Sequence, residues 1–277
     1  MPKLTKNQII RGTSDQVQWW LDKRLDKFRE LSHETMSINP FMAPVIMALH
    51  SHIAFADLAE LLLGGHFMTG HATGFGKLID EKILPKLFGS RKLDAAFRKI
   101  PPYDLPVFSE VDHLIVTGTG DPIYLSLKAS RWTIQLTMAE KMNAAFTRLV
   151  TLRSAGSIRF SKIVVGVFYG TQEALTDKFS IIRGICSGAK HDVTDITEHV
   201  EVVAGKEFWS WINGGEDETQ DWIMQGVLDA VTASKSKLLA AKGLLESYKQ
   251  TFENTFTRFV AADGAIDWVG ILHGING

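Results

Sequence analysis

A carboxylate and a lysine are spaced so that a β-hairpin can bring their side chains together. The sequence predicts one strand at 107–116, a second at 123–129, and a turn rich in Gly and Pro between them. Asp112 lies in the first strand and Lys128 in the second. Carboxylate oxygens are ligands that Mg²⁺ prefers, and a nearby lysine can hold or deprotonate a water molecule. The pair has the residue types of a catalytic site, but an Asp and a Lys on adjacent strands are more often a solvated ion pair.

The alternation of side chains along a strand assigns the hairpin residues to two faces. One face of the second strand is predicted to be apolar and buried, and it consists of Ile123, Leu125 and Leu127. The other face is predicted to be polar, and it consists of Tyr124, Ser126 and Lys128. On the first strand, Glu110 and Asp112 are predicted to point the same way. We therefore expect carboxylates and a lysine to converge on one polar face.

The composition indicates a chain with a substantial core in a reducing compartment. The 277 residues are 45% hydrophobic with a net charge of -1, which allows one large domain or two small ones. This charge argues against a nucleic-acid binder unless a local basic surface makes the contact. The single cysteine, Cys186, excludes an internal disulfide, and no signal peptide or run of about 20 apolar residues occurs. We therefore expect a soluble cytoplasmic protein with no membrane partner.

The remaining pattern predicts an α/β protein with a mixed sheet. The predicted helices, with a break near 242–243 in the last, are 14–32, 43–63, 75–84, 132–152 and 218–259. Further strands are predicted at 158–169, 178–185 and 200–203. The segment 66–77 is expected to be a loop that faces a ligand. It does not have the spacing of a phosphate-binding loop, because the first required Gly would fall at His71.

The hairpin resembles the active-site hairpin of the PD-(D/E)XK nucleases. In those enzymes an Asp lies on one strand, and an acid, any residue and a Lys follow on the next. Asp112 and Lys128 match this motif, whereas Ser126 stands where an acid is expected. Further segments resemble the type II restriction endonuclease family that cleaves RGGNCCY. They are 34–42 (ETMSINPFM), 68–85 (MTGHATGFGKLIDEKILP), 125–139 (LSLKASRWTIQLTMA), 164–170 (VVGVFYG) and 204–211 (AGKEFWSW).

The resemblance implies an α/β (α+β) fold with a PD-(D/E)XK restriction-endonuclease-like core, in which helices flank a mixed central sheet. In such cores a helix, a three-stranded meander that carries the acids, a second helix and a further strand follow one another. We expect an N-terminal helical recognition and dimerisation segment at 1–64 and the catalytic core at 65–213. A C-terminal helical segment at 214–277 is expected to pack with the N-terminal helices.

The resemblance also implies an activity. It predicts a homodimer that uses Mg²⁺ to hydrolyse double-stranded DNA at a short palindrome and leaves 5′-phosphates. A cognate DNA methyltransferase would be its genetic, not physical, partner. Alternatives are a DNA-repair nuclease with the same core, a catalytically impaired DNA-binding protein, and an α/β enzyme acting on a small substrate. Cutting of plain duplex DNA at one defined sequence would exclude the repair nuclease, and tight, metal-independent binding without cutting would indicate the impaired DNA-binding protein. Weak DNA binding that does not depend on salt would favour the enzyme acting on a small substrate.

Individual residues take roles from the same resemblance. Asp112 matches the metal-binding aspartate, and Lys128 matches the lysine that positions or activates the attacking water. The backbone carbonyl of Leu127 can supply another oxygen to Mg²⁺. Because Ser126 adds no charge, a further carboxylate is expected to compensate, and the candidates are Glu81 and Asp80, ahead of Glu110. Contacts to DNA are expected from Arg131 and from polar residues of the predicted loop, namely Thr69, His71, Thr73 and Lys77.

Overall fold

The computed structural model describes residues 3–29, 41–50, 55–116, 118, 120–131, 133–186 and 190–276. Most of the first segment that resembles the endonuclease family, 34–40, lies outside these residues. The α-helices of the described residues are α1 (Lys6–Arg29), α2 (Ala43–Leu49), α3 (Phe55–Leu78), α4 (Leu84–Phe88), α5 (Leu136–Ser154), α6 (Asp177–Arg183), α7 (Gly205–Ile212), α8 (Thr219–Ala233), α9 (Lys235–Phe256) and α10 (Trp268–Asn276). None of these helices is long and apolar enough to cross a membrane.

The strands form one mixed sheet. They are β1 (Arg91–Lys92), β2 (His113–Ile115), β3 (Ile123–Lys128), β4 (Lys162–Val167) and β5 (Val200–Ala204). They lie side by side in chain order. β1, β2 and β3 form an antiparallel meander, and β4 and β5 extend the sheet parallel to β3. Helix α5 makes the connection from β3 to β4 that a parallel pair needs. The prediction of an α/β protein with a mixed sheet is confirmed.

Helices cover both faces of this sheet. On one face, the rings of Phe108 and Tyr124 lie 5.4 Å apart and those of Tyr124 and Phe160 lie 4.8 Å apart. α5 and α6 contribute to the same apolar cluster. On the other face, a Cβ at Gly166 of β4 would lie 2.5 Å from the ring of Phe208 in α7. Glycine at this position therefore lets α7 pack closely against the sheet.

The predicted polar face of the hairpin is wrong for two of its three residues. Tyr124 is 1% exposed and Ser126 is 0% exposed, because both lie on the face of the sheet that packs against α5. Only Lys128, at the end of β3, keeps partial access to solvent. The predicted strand at 107–116 is also shorter than expected, since Pro106–Glu110 forms a 3₁₀-helix and β2 begins at His113.

The segment 66–77 is helical, so the prediction of a loop there is wrong. α3 passes without a break through all the glycines between Gly64 and Gly76. Gly74 has a packing role: a Cβ there would collide with the guanidinium of Arg24 from α1, and Arg24 also donates a hydrogen bond to the carbonyl of Gly70. The small residues give Arg24 room against the helix backbone. This tertiary contact outweighs the weak helix propensity of glycine.

Two further elements differ from the sequence prediction. The segment predicted as a strand at 178–185 is helix α6, which ends at Gly184 in the left-handed conformation (φ 88°). A short apolar run does not distinguish a buried strand from a buried helix, and here Phe179, Ile181 and Ile182 are all buried against α5 and the sheet. In the C-terminal region the break lies at Ser234, between α8 and α9, whereas 242–243 is helical.

The chain divides into two compact units, and each combines two separate stretches of sequence. The first unit contains the sheet and consists of residues 1–17 and 76–229. The second is helical and consists of residues 18–75 and 230–277. Ion pairs link the two stretches of the second unit, from Lys237 to Asp22 (2.8 Å) and from Lys249 to Glu60 (2.8 Å).

Candidate active site

Asp112 lies immediately before β2, and both its backbone and its side chain are bonded to β3. Its N–H donates to the carbonyl of Leu125 (2.8 Å), and its Oδ2 accepts the N–H of Leu127 (2.7 Å). Because the strand register pairs His113 with Leu125, Asp112 lies opposite Ser126. The side chain therefore takes the place of a backbone acceptor in the ladder, and this bond fixes the carboxylate at the end of the strand pair.

The surroundings of Asp112 change its protonation in a definite direction. Burial raises the pKa of Asp112 above its ordinary value of 3.8, whereas the charge of Lys128 and the N–H of Leu127 lower it. The charge of Asp80 raises this pKa further and that of His113 lowers it, and the net effect is a raised pKa. A cation beside Asp112 would offset the unfavourable burial of its negative charge.

Ser126 occupies the position of the expected second acid and carries a buried hydroxyl. Within the described part of the chain, its Oγ makes no hydrogen bond. An unpaired buried hydroxyl costs about 1–3 kcal/mol. Such a cost is typical of a position where a ligand or a water molecule completes the hydrogen bonding.

Replacement of Ser126 by Ala is expected to stabilise the protein in the absence of metal. The variant removes a buried polar atom that has no partner, so the free energy of unfolding should rise by about 1 kcal/mol. Urea denaturation in a chelating buffer measures this change. Ser90→Ala is the matched control: Ser90 is equally buried, but its Oγ is hydrogen-bonded to His113 Nδ1 (3.1 Å), so its loss should destabilise the protein. A clear loss of stability in Ser126→Ala would contradict the assignment of an unpaired hydroxyl.

Leu127 and Lys128 complete this end of β3. The carbonyl of Lys128 accepts the N–H of Phe168 (3.1 Å), so the backbone of Lys128 faces β4. The N–H of Leu127 faces Asp112, and the carbonyl of the same residue points to the same side, as it must in a strand. The structure therefore brings together Asp112, Ser126, the Leu127 carbonyl and Lys128 within one hairpin.

Asp80 lies in a second polar cluster, on a π-helical turn (Ile79–Ile83) between α3 and α4. Its Oδ1 is bonded to Nε2 of His113 (2.7 Å), and its Oδ2 accepts a hydrogen bond from Lys92 Nζ. Burial alone would raise the pKa of Asp80, but the hydrogen bonds and charges of His113 and Lys92 outweigh it and lower this pKa. Asp80 is therefore a stable carboxylate whose two oxygens are both engaged. Single π-helical turns occur frequently at functional sites.

Sequence reasoning missed His113, Ser90 and Lys92, which surround Asp80. The imidazole of His113 is 0% exposed and bridges Ser90 and Asp80. A signal was present, because His113 directly follows Asp112 at a position that alternation assigns to the opposite, apolar face of the strand. A histidine on a buried face needs a polar partner, but the sequence does not identify that partner as a carboxylate 33 residues earlier.

The other two proposed acids have different surroundings. Glu81 is half exposed, and its Oε1 lies 3.7 Å from Lys92 Nζ. Glu110 belongs to the 3₁₀-helix before Asp112, and its carboxylate is paired with Lys141 of α5 (2.7 Å). The prediction that Glu110 and Asp112 share a strand face is therefore wrong, because Glu110 is not in a strand. Of the three acids, only Asp80 is coupled electrostatically to Asp112.

The residues predicted to contact DNA have different surroundings. Thr73 and Lys77 are exposed and lie four residues apart on α3, so they share one face of that helix. His71 packs edge-on against Trp20 (6.0 Å between ring centroids). Arg131 donates a hydrogen bond to the carbonyl of Ala174 (3.2 Å), in the segment after β4. The backbone of Thr69 is helical, and its side chain lies outside the described part of the structure.

The donor set suits one hard cation with few protein ligands. Among the described residues, no three His, Cys, Asp or Glu side chains are grouped as a metal cluster. Asp112 and the Leu127 carbonyl offer oxygen ligands, and Mg²⁺ typically keeps several of its waters. The unpaired hydroxyl of Ser126 can bond one of those waters. On this donor chemistry the residues present fit Mg²⁺.

Comparison with known proteins adds no family assignment. No protein-family model matches the chain, and no curated protein matches it. The geometry around Asp112, Ser126 and Lys128 is therefore the strongest indicator of function.

Proposed function

We propose that this protein is a type II restriction endonuclease that hydrolyses double-stranded DNA at a short palindrome with Mg²⁺. One observation carries the proposal. Asp112 lies opposite Ser126 on paired antiparallel strands, is bonded to the N–H of Leu127, and is coupled electrostatically to Lys128. This is the arrangement expected for the aspartate and lysine of a PD-(D/E)XK hairpin, with a serine in the position of the second acid.

The order of elements supports the same proposal. α3 and α4 precede a three-stranded antiparallel meander, α5 follows it, and β4 then adds to the sheet parallel to β3. This is the succession of helix, meander, helix and strand expected of a PD-(D/E)XK core. Asp112 lies immediately before β2 and Lys128 at the end of β3, from which the chain continues to α5.

The residues of the hairpin would divide the work. Asp112 and the Leu127 carbonyl would hold Mg²⁺, which when bound supplies positive charge to the phosphate and the leaving oxygen. Lys128 would hold the attacking water by a hydrogen bond and balance the charge of Asp112. The hydroxyl of Ser126 would orient a second water. We assign Lys128 an orienting role in preference to a basic one, because its positive charge acts on the carboxylate of Asp112.

A homodimer would match the two-fold symmetry of a palindromic site, with one strand cut by each subunit. The surface of α8 offers support for self-association. It exposes large apolar side chains at three- and four-residue spacing, namely Met224, Leu228 and Val231. Such a stripe on the surface of a helix is typical of an interface.

A plasmid digest with Mg²⁺ tests the proposal. The intact protein should give discrete fragments that map to one palindromic sequence, with 5′-phosphate ends. Lys128→Ala should cut about 100-fold more slowly, because it loses the group that orients the water. The matched control is Lys162→Ala, which removes a lysine from the neighbouring strand β4, where it pairs with Glu201. Absence of cutting with every divalent ion tested would overturn the proposal.

Ser126 favours one second candidate, a catalytically impaired DNA-binding protein on the same core. Ser126 lacks the charge of the second acid, so Asp112 is the one carboxylate left in the hairpin motif. This candidate predicts tight, metal-independent binding of duplex DNA with a steep salt dependence and no cleavage. A DNA-repair nuclease would instead cut without preference for one plain duplex sequence.

A further inference from the structure

We propose that the ammonium group of Lys92 is a tethered cation that competes with the divalent metal ion for Asp80. This inference deepens the proposed function, and it rests on the presence of a cation site at Asp112. It explains why an acid on the π-helical turn before the meander does not simply replace the carboxylate missing at Ser126.

The first argument for the competition comes from the contacts of Asp80. Its Oδ2 accepts a hydrogen bond from Lys92 Nζ, and its Oδ1 is bonded to His113 Nε2 (2.7 Å). Lys92 Nζ also lies 3.7 Å from Glu81 Oε1. The ammonium thus contacts both acids of the π-helical turn, in the position that a small cation would take. A metal ion that binds between these two acids must displace the ammonium of Lys92.

The second argument comes from the position of Lys92 in the sheet. β1 pairs with β2 in the register that places Lys92 opposite His113, so the lysine stem is anchored in the sheet next to the residue that follows Asp112. Its side chain is 28% exposed and that of Asp80 is 24% exposed, so neither group is sealed from solvent. An anchored, partly exposed ammonium can leave its partner without disrupting the core.

The third argument concerns the negative charge of Asp80. Asp80 is bonded to His113, the residue that follows Asp112, so its negative charge lies in the same region of the sheet as that of Asp112. With Lys92 in place, the charge of Asp80 is largely balanced. Without Lys92, the field of Asp80 would act fully on a cation at Asp112 and would favour its binding.

Metal-binding titrations test this inference without relying on cleavage. Mn²⁺ binding followed by electron paramagnetic resonance should be about tenfold tighter in Lys92→Met than in the parent protein, because the competing charge is lost. Lys92→Arg, which keeps the charge, should bind Mn²⁺ like the parent. The gain should disappear in the double variant Asp80→Asn/Lys92→Met. Unchanged or weaker binding in Lys92→Met, or an equal gain in the double variant, would overturn the inference.

A measurement on the unmutated protein covers the case in which Lys92→Met does not fold. The side-chain nitrogen signal of Lys92, assigned through Lys92→Arg, should change when Mg²⁺ saturates the site, because the ammonium leaves Asp80. A signal unaffected by saturating Mg²⁺ contradicts the competition. Failure of this inference is distinguishable from failure of the proposed function. If Mn²⁺ binding depends on Asp112 but is unaffected by Lys92, only the competition is wrong; if binding does not depend on Asp112, both proposals are wrong.

Discussion

The Asp112→Asn variant is expected to cleave DNA about 1000-fold more slowly than the parent protein, because one negative oxygen ligand of the cation is lost. The fold should survive the change, since the side-chain oxygen of Asn can still accept the N–H of Leu127. Cleavage rates in single-turnover digests measure the effect. Asp121→Asn is the matched control, because Asp121 is an exposed aspartate in the turn of the same hairpin. Cleavage by Asp112→Asn within tenfold of the parent would show that Asp112 is not the central ligand.

The same variant should be more stable than the parent without metal at neutral and alkaline pH. Because the folded-state pKa of Asp112 is raised, the folded protein binds this proton more tightly than the unfolded chain. Stability is therefore lost as the pH rises from 3.8, the ordinary value, through the folded-state pKa. Asn carries no such charge, so its advantage should vanish below pH 3.8. Denaturation curves across this range in a chelating buffer check the sign, and a variant less stable at pH 8 would contradict it.

Gly205→Ala is expected to lower the free energy of unfolding by about 4 kcal/mol, the upper range for single substitutions. Gly205 joins β5 to α7 with φ 53°, and a Cβ there would lie 1.9 Å from the carbonyl oxygen of Gly170. The added Cβ and the carbonyl oxygen of Gly170 cannot rotate apart, because both are attached directly to the backbone. The loop after β4, which carries the contact between Arg131 and Ala174, would have to move away from β5.

Gly89→Ala separates the two causes of the stability loss expected for Gly205→Ala, which are the left-handed backbone conformation and the contact with Gly170. Gly89 also has a positive φ (66°), but a Cβ there would meet nothing within 4 Å. Its replacement should therefore cost only the left-handed conformation, about 1–2 kcal/mol. Urea denaturation of both variants measures the difference. Similar losses in the two variants would contradict the close contact between Gly205 and Gly170.

The sequence was sufficient to predict the pairing of the two hairpin strands because that pairing is local. Asp112, Ser126 and Lys128 are related by strand alternation and a short turn, and the structure brings them together. The strand 200–203 also follows from its local apolar pattern, and it corresponds to β5. Where pattern and local geometry agree, few alternatives compete.

The parts that the sequence did not predict depend on distant partners. The segment 66–77 has the composition of a loop, but it is helical and packs at Gly74 and Gly70 against Arg24 from another helix. The cluster of Asp80, Lys92 and His113 joins a π-helical turn to two strands. Neither contact has a periodic signature, so neither can be read from the order of residues alone.

The interleaving of the two units constrains how the chain can fold during synthesis. The helical stretch 18–75 leaves the ribosome long before its complement 230–277 is made. The stretch 76–212, which contains every strand of the sheet, can by then be assembled. Within the unit that contains the sheet, the segment around Leu4 is bound late. Its N–H donates to Asn213 (2.7 Å), which is synthesised 209 residues later. Translation would thus complete the stretch that forms the sheet before residues 230–277, which complete the helical unit, emerge.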